Sequence, residues 1–238
     1  MISVIVPVRN EEQGLAQMLI SLREILSTLE GSPEIVVVDD GSIDRSGRVA
    51  QEHGVVLRTH QISHGYGQAI RTGLAAAKHD LIGLIDGDGS YDPKDFARLI
   101  DIHDHYDMIV GARTGREFSK NLAKTLSRKA LVCFCEFICG IKINDINSGM
   151  RIFRRPVARL FLNHLSYGFS FTTSLTLCMT LNGYRIGYAY VNYLPRWGHS
   201  KVNHFRDTLR TLQKIFEIFA RYNPQKLYLS LILVSVLA

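Results

Sequence analysis

Leu81-Ile82-Gly83-Leu84-Ile85-Asp86-Gly87-Asp88 is the stretch from which the fold of this chain can be read. Its first five residues are apolar and mostly branched, the mark of a strand buried on both faces of a mainly parallel sheet. Such a strand has no need of charge, yet the run ends in two carboxylates separated by one glycine. In open α/β sheets, ligands sit beyond the carboxyl ends of the strands. Alternation along an extended backbone would point Asp86 and Asp88 the same way. Two carboxylates that close repel unless positive charge lies between them, which a hard divalent cation carrying phosphates on its other side provides. Aspartate and glycine also make ordinary turns, so the neighbouring segments have to separate the two readings.

Outward from that stretch the same pattern recurs. Ile2 to Val8 is expected as a first buried strand, and Glu11 to Glu30 carries the period of an amphipathic helix through Leu15, Leu19, Leu22, Leu26 and Leu29. Glu34 to Asp39 reads as a second strand ending in Asp39-Asp40-Gly41-Ser42, again acid and glycine directly after a buried run. Asp44 to Glu52 predicts a helix, Val55 to Thr59 a third strand and Gln68 to Lys78 another helix. Before the last of these stands His64-Gly65-Tyr66-Gly67, whose glycines either let backbone approach a phosphate or simply make a flexible loop. The Asp86 strand is the fourth, Pro93 to His103 predicts a helix, and Met108 to Val110 a fifth strand leading into Gly111-Ala112-Arg113. Regular alternation builds βαβ units, hence an α/β fold with a doubly wound, mainly parallel sheet and helices on both faces.

With 238 residues, 46% of them hydrophobic and 21% charged, the chain is long enough for one large α/β domain with a substantial core. Charge is unevenly spread. Residues 1–112 hold 9 Lys/Arg against 17 Asp/Glu, whereas residues 113–238 hold 19 against 5, so a half of net −8 precedes one of net +14. A basic half of that kind faces something anionic: nucleic acid, a phospholipid surface or a phosphate-bearing substrate. Nucleic acid is disfavoured, since no helix-turn-helix, zinc-finger, RNP or KH pattern is present. The cysteines Cys133, Cys135, Cys139 and Cys178 match no metal-ligand spacing and read as small apolar residues in a reducing compartment. No signal peptide precedes the first strand.

From Glu117 to Ile143 the character changes. Lys120, Lys124, Arg128 and Lys129 precede a run, Ala130 to Ile143, that is apolar nearly all round, which suits either a packed helix with a solvated basic face or a helix lying in a membrane interface. Gly183 to Tyr193 predicts a strand, Pro195 to Lys201 a polar loop, and His204 to Tyr222 a basic amphipathic helix. After Asn223-Pro224 comes the apolar segment Leu227 to Ala238. Those twelve residues are fewer than the roughly 20 needed to span a bilayer, so the segment either dips into the membrane or begins a transmembrane helix. The expected organisation is a catalytic domain over residues 1–222, made of a donor half (1–112) and an acceptor and membrane-interface half (113–222), followed by the apolar segment 223–238.

Three of these motifs in order carry a resemblance: Ser3-Val4-Ile5-Val6-Pro7-Val8-Arg9-Asn10-Glu11-Glu12, Val38-Asp39-Asp40-Gly41-Ser42, and Asp86-Gly87-Asp88-Gly89-Ser90-Tyr91-Asp92-Pro93. Together they resemble glycosyltransferase family 2, whose architecture is of the GT-A type. The second half is similar to the polyprenyl-phosphate sugar transferases of dolichol-phosphate mannose synthase type. It carries that likeness through Gly111-Ala112-Arg113, Ser127-Arg128, Asp145-Ile146-Asn147-Ser148-Gly149-Met150-Arg151 and Arg196-Trp197-Gly198-His199-Ser200-Lys201. The chain departs from the pattern at Ser90, where relatives commonly carry Gln near the metal.

The resemblance implies a role for each matching residue. Pro7, Glu11 and Asp39 fall where the base and ribose of a nucleotide diphosphate sugar bind, and a carboxylate there accepts hydrogen bonds from base or hydroxyl. Asp86 and Asp88 match the motif that holds a divalent metal, Mg2+ or Mn2+, which stabilises the charge on the departing nucleotide. Arg196 and Lys201 match a loop closing over the donor diphosphate. Arg113 and Arg128, with Ser148 and Arg151, match the acceptor-phosphate region, for which guanidinium forks are well shaped. Asp145 is either a general base or the partner that orients Arg151 or another cation.

The expected activity is therefore metal-dependent, inverting transfer of a sugar to a polyprenyl phosphate, by a membrane-associated protein at the cytoplasmic face and in contact with membrane lipid. Two alternatives remain open at the level of sequence: a family 2 transferase acting on a glycan hydroxyl, which needs a deprotonating base, and a catalytically silent nucleotide-sugar-binding scaffold.

Overall fold

Buried apolar runs become strands wherever the sequence expects them. A computed structural model describes residues 1–119, 122–197 and 204–237. In chain order the elements are β1 (Ile2–Val8), α1 (Glu12–Leu26), β2 (Glu34–Asp39), α2 (Ser46–Glu52), β3 (Val56–Thr59), α3 (Tyr66–Ala76), β4 (Leu81–Leu84) and α4 (Asp95–Asp101). They continue with β5 (Met108–Thr114), α5 (Arg116–Ser119), α6 (Leu122–Cys139), β6 (Arg151–Arg154), α7 (Arg155–Phe161), α8 (Phe171–Leu181), β7 (Ile186–Asn192), α9 (His204–Tyr222) and α10 (Pro224–Leu237).

The strands form one sheet in the order β3-β2-β1-β4-β6-β5-β7. Every neighbour pair is parallel except those of β6, which runs antiparallel to both β4 and β5. The sheet is thus mixed, a refinement of the mainly parallel expectation. Registers such as Val6↔Val37 and Ile5↔Leu84 stack branched residues side by side on each face. One face, through Val4, Val6 and Val37, packs on α1, α2 and α4; the other, through Ile5, Val36 and Ile82, packs on α3, α6, α8 and α9. In α1, Leu15, Met18, Leu19, Leu22 and Leu26 are all buried, each contributing about 1.5–3 kcal/mol by leaving water.

β1 sits between β2, its sequence successor in the sheet, and β4, where the winding reverses. That crevice is where a doubly wound sheet binds ligands. Two cross-loop bonds close it from below: Asp40 N–H donates to Val8 O at 2.9 Å and Ile85 N–H to Ile5 O at 3.2 Å.

In the second half, apolar residues divide between core and surface. On α9, Ile215, Ile218 and Phe219 are at 2% exposure or less and join the core. Within Ala130 to Ile143, Cys135, Ile138 and Ile143 are likewise buried. Exposed apolar residues include Phe137 and Ile141 in the same run, Leu122 and Leu126 at the start of α6, Leu209 and Phe216 on α9, and Tyr228, Leu229, Leu231, Ile232 and Leu233 on α10. Among the described residues no helix is long and apolar enough to cross a membrane.

Candidate active site

The carboxyl ends of β2, β1 and β4 bring Asp39, Pro7 and the Asp86 segment to one rim of the sheet. Pro7 is buried in β1 opposite Val38. Glu11 caps the start of α1, and its N–H donates to Ser46 Oγ at 2.7 Å. Asp39 Oδ1 accepts from Ser42 N–H at 2.9 Å. The β1–α1 and β2–α2 loops are laced further by Asn10 N–H to Ser42 Oγ, Ile43 N–H to Asn10 Oδ1 and Glu12 N–H to Asp44 Oδ2. A shelf of this kind, rigid and rich in acceptors, suits a nucleoside.

β4 ends at Leu84, so strand alternation does not set the aspartates. Asp86 turns inward, where Oδ1 accepts from the Tyr66 hydroxyl at 2.6 Å. Its Oδ2 faces Gly149, at which a Cβ would stand 1.9 Å away, so a larger residue there would displace the carboxylate. Asp88 accepts from the Ser90 N–H and hydroxyl through Oδ1, and its Oδ2 lies 3.3 Å from Arg196 Nη2. Ser90, the departure noted in the sequence, therefore orients Asp88. Burial, followed by the charge of Asp88, pushes the Asp86 carboxyl up to about 6. Two hard oxygen donors, one of them buried, that repel each other fit a divalent cation, and among the described residues no third His, Cys, Asp or Glu joins them in a group. That donor set suits a magnesium-like ion, which keeps waters and substrate phosphates as its other ligands.

Segment 193–197 runs antiparallel over the carboxylates. Tyr91 bridges to Tyr193, Leu194 N–H donates to Ser90 O at 2.9 Å, and Trp197 N–H to Asp88 O at 3.1 Å. Arg196 is thereby held over Asp88, and its guanidinium also donates to Tyr193 Oη at 3.1 Å. Burial disfavours the Arg196 charge, but Asp88, Tyr193 and Asp86 together outweigh it and raise the pKa. Lys201, with the rest of its motif from Gly198, lies outside the described residues.

Tyr193 also borders a cation–aromatic cluster. Arg113 Cζ lies 4.9 Å from the Phe118 ring centroid and 5.4 Å from that of Tyr193, while Arg128 Cζ stacks 3.9 Å over Phe118. The two arginines expected at the acceptor are thus together, with one ring between them. Arg113 is forked by Asp145, Nε to Oδ2 at 2.7 Å and Nη2 to Oδ1 at 2.9 Å. For Arg113, burial is outweighed by Tyr91 and Asp145, which keep it charged; for Asp145, burial is outweighed by Arg113, which lowers its pKa. Arg128 shifts the other way, downward, through burial and then through the nearby Arg113 charge.

Two expected acceptor residues are not at the site surface. Arg151 is 0% exposed, and its guanidinium donates to Ile146 O, Ser148 O, Thr172 O and Thr176 Oγ1 at 2.6–3.1 Å. Its donors serve the chain itself: Arg151 fastens the 145–149 loop to α8. Ser148 is also 0% exposed, 3.2 Å from the Tyr91 hydroxyl. Asp145 orients Arg113, not Arg151. Sequence reading passed over Tyr66, Phe118 and Tyr193; the available signal was aromatic residues interleaved with Arg113, Arg128 and Arg196.

The family model for Glycosyl transferase family 2 matches residues 3–161. An uncharacterized protein of Methanocaldococcus jannaschii is 33% identical over 69% of each chain. The dolichyl-phosphate hexose transferase of Haloferax volcanii is 27% identical over 86% of this chain and 87% of that one. The undecaprenyl-phosphate 4-deoxy-4-formamido-L-arabinose transferase of Klebsiella pneumoniae is 30% identical over 68% of this chain. The chain aligns with about half the length of that transferase, 51%. Among solved structures, glucosyl-3-phosphoglycerate synthase from Mycobacterium tuberculosis in complex with Mg2+ and UDP superposes with a TM-score of 0.75 at 16% identity, over 92% of this chain and 79% of the other, and shares the fold.

Proposed function

The chain is a glycosyltransferase of family 2, and from that premise we propose that it carries out metal-dependent, inverting transfer of a sugar from a nucleotide diphosphate sugar to a polyprenyl phosphate, at the cytoplasmic face of a membrane. The observation that carries this reading is the Arg113–Phe118–Arg128 cluster, joined through Tyr193 to Arg196 and so to Asp88. It offers fixed positive charge, with exposed Leu122 and Leu126 beginning the adjoining helix. A phosphate head with an apolar tail matches both features. Relatives whose names specify dolichyl-phosphate and undecaprenyl-phosphate support the same acceptor class.

Pro7, Glu11 and Asp39 would hold the nucleoside, and Asp86 and Asp88 would hold Mg2+ or Mn2+. When bound, that ion supplies electrostatic stabilisation of the departing diphosphate. Arg196 adds a guanidinium on the same side. An acceptor phosphate is already an anion, so it can attack the anomeric carbon directly in one displacement that inverts configuration. Asp145 then needs no proton: its hydrogen bonds to Arg113 fit an orienting role and weigh against the glycan-hydroxyl alternative, which requires a free base.

The test is Arg128→Ala. A charge-assisted contact is worth about 1.5–3 kcal/mol, roughly a factor of 10 to 150. Affinity for a short polyprenyl phosphate should fall by that order, with nucleotide-sugar binding nearly unchanged. Unaltered acceptor binding, or loss of donor binding instead, would remove Arg128 from the acceptor site.

A further inference from the structure

The second aspartate of Asp39-Asp40-Gly41-Ser42 and the His64-Gly65-Tyr66-Gly67 loop have so far had no part in the chemistry, yet both lead to the Asp86 carboxylate. Asp40, 4% exposed, collects the loop that follows β3. It accepts from His60 Nδ1 at 2.7 Å, Ser63 Oγ at 2.7 Å, His64 N–H at 2.9 Å and Gly65 N–H at 2.9 Å. The other nitrogen of His60 reaches Thr72 Oγ1 on α3 at 2.9 Å. The loop is therefore not flexible; it is tied to the end of β2 on one side and to α3 on the other.

What this loop delivers is Tyr66, the first residue of α3. Gly65 takes φ +101°, the left-handed region that glycine tolerates, and turns the chain into the helix. Gly67 lies against the backbone of Ser166, where a Cβ would be 2.3 Å from the carbonyl oxygen. The Tyr66 ring stacks on Phe169, centroids 5.9 Å apart and planes 17° off parallel. Ring and backbone so fixed, the hydroxyl has one place to point: Asp86 Oδ1, at 2.6 Å. Gly149 backs the opposite oxygen.

We infer that Tyr66 is a positioning residue for the cation site: its hydroxyl, delivered by a loop that Asp40 ties down, fixes the orientation of the Asp86 carboxylate beside Asp88. This rests on the cation reading above. The physical reason is general, since groups that orient a ligating carboxylate cost about 10–100-fold in metal affinity when removed. Tyr66→Phe keeps the ring and its stacking and deletes only the donor.

The experiment measures binding of Mn2+ alone to the full chain by electron paramagnetic resonance, with circular dichroism confirming the fold. Asp88→Asn serves as the reference that removes a ligand outright. The expected result is tight binding by the parent chain, loss in Asp88→Asn, and about 10–100-fold weaker binding in folded Tyr66→Phe. Parent-like Mn2+ affinity in Tyr66→Phe, with binding lost in Asp88→Asn, overturns the positioning role and leaves the cation site standing. Absence of Mn2+ binding by the parent chain overturns both. Should Tyr66→Phe not fold, 3-fluorotyrosine placed at position 66 of the parent chain decides: its fluorine resonance must shift as Mg2+ is added, and a resonance indifferent to Mg2+ overturns the proposal.

Discussion

At the scale of single residues, Arg113 and Arg128 look alike in sequence and differ in what surrounds them. Arg113 and Asp145 have side chains only 12% and 5% exposed, so removing one charge strands the other. Breaking a buried pair costs about 3–5 kcal/mol. Arg113→Ala should therefore lower the denaturant midpoint sharply, while Arg128→Ala, losing a stacked and partly exposed contact, should unfold within about 1 kcal/mol of the parent. Equal stability for the two variants would contradict the pairing. Asp40 makes a second prediction. Burial opposes its charge, but His60, the His64 N–H, Ser63 and the Gly65 N–H outweigh it and lower its pKa below the ordinary 3.8. A depressed folded pKa adds stability that is present above the unfolded value and is lost as pH falls through the folded one. The stability difference between the parent and Asp40→Asn in urea should thus be full above about pH 5 and shrink below about pH 4. A difference that is constant across that range would contradict it.

At the scale of elements, legibility followed burial pattern. β1, β2 and β4 were readable because branched apolar residues run continuously and stop at acid and glycine. β6 was not: four residues beginning and ending in arginine, Arg151-Ile152-Phe153-Arg154, show no strand pattern, and only tertiary contacts make Arg151 a core residue. α8 escaped for the opposite reason, being buried nearly all round, so no amphipathic period exists to find. Two of its hydroxyls donate back to the chain's own carbonyls one turn earlier, Thr176 to Thr172 O and Ser174 to Ser170 O. The Arg113–Asp145 pair joins residues 32 apart, beyond any local rule. Amphipathicity on α9 did not name its partner, since a core and a membrane select the same stripe; Ile215, Ile218 and Phe219 join the core while Leu209 and Phe216 are exposed. Phe219→Ala should cost about 3–5 kcal/mol in stability, as expected for a buried aromatic, whereas Leu122→Ser with Leu126→Ser should leave the melting temperature nearly unchanged and weaken attachment to vesicles. A destabilised serine pair would place those leucines in the core.

At the scale of the whole molecule, the two halves divide the work that their charge announces. The acidic half supplies the carboxylates and the loops proposed to hold the nucleoside, and the basic half supplies Arg113, Arg128 and Arg196 and the exposed apolar residues of α6 and α10. The chain should bind anionic vesicles more tightly than neutral ones, with salt weakening the attachment without abolishing it, because screening removes the electrostatic part and leaves apolar contact. Sedimentation with vesicles of both kinds measures this, and a chain that stays in solution with both would contradict the membrane reading. The central claim, transfer of a sugar to a lipid phosphate, is tested most directly by incubating the protein with labelled UDP, GDP and dTDP sugars, Mg2+ or Mn2+, and a short polyprenyl phosphate. The account predicts one labelled polyprenyl-phosphate sugar whose formation stops when a chelator is added. Label appearing on a glycan hydroxyl instead, or lipid product formed undiminished in the presence of chelator, would contradict it.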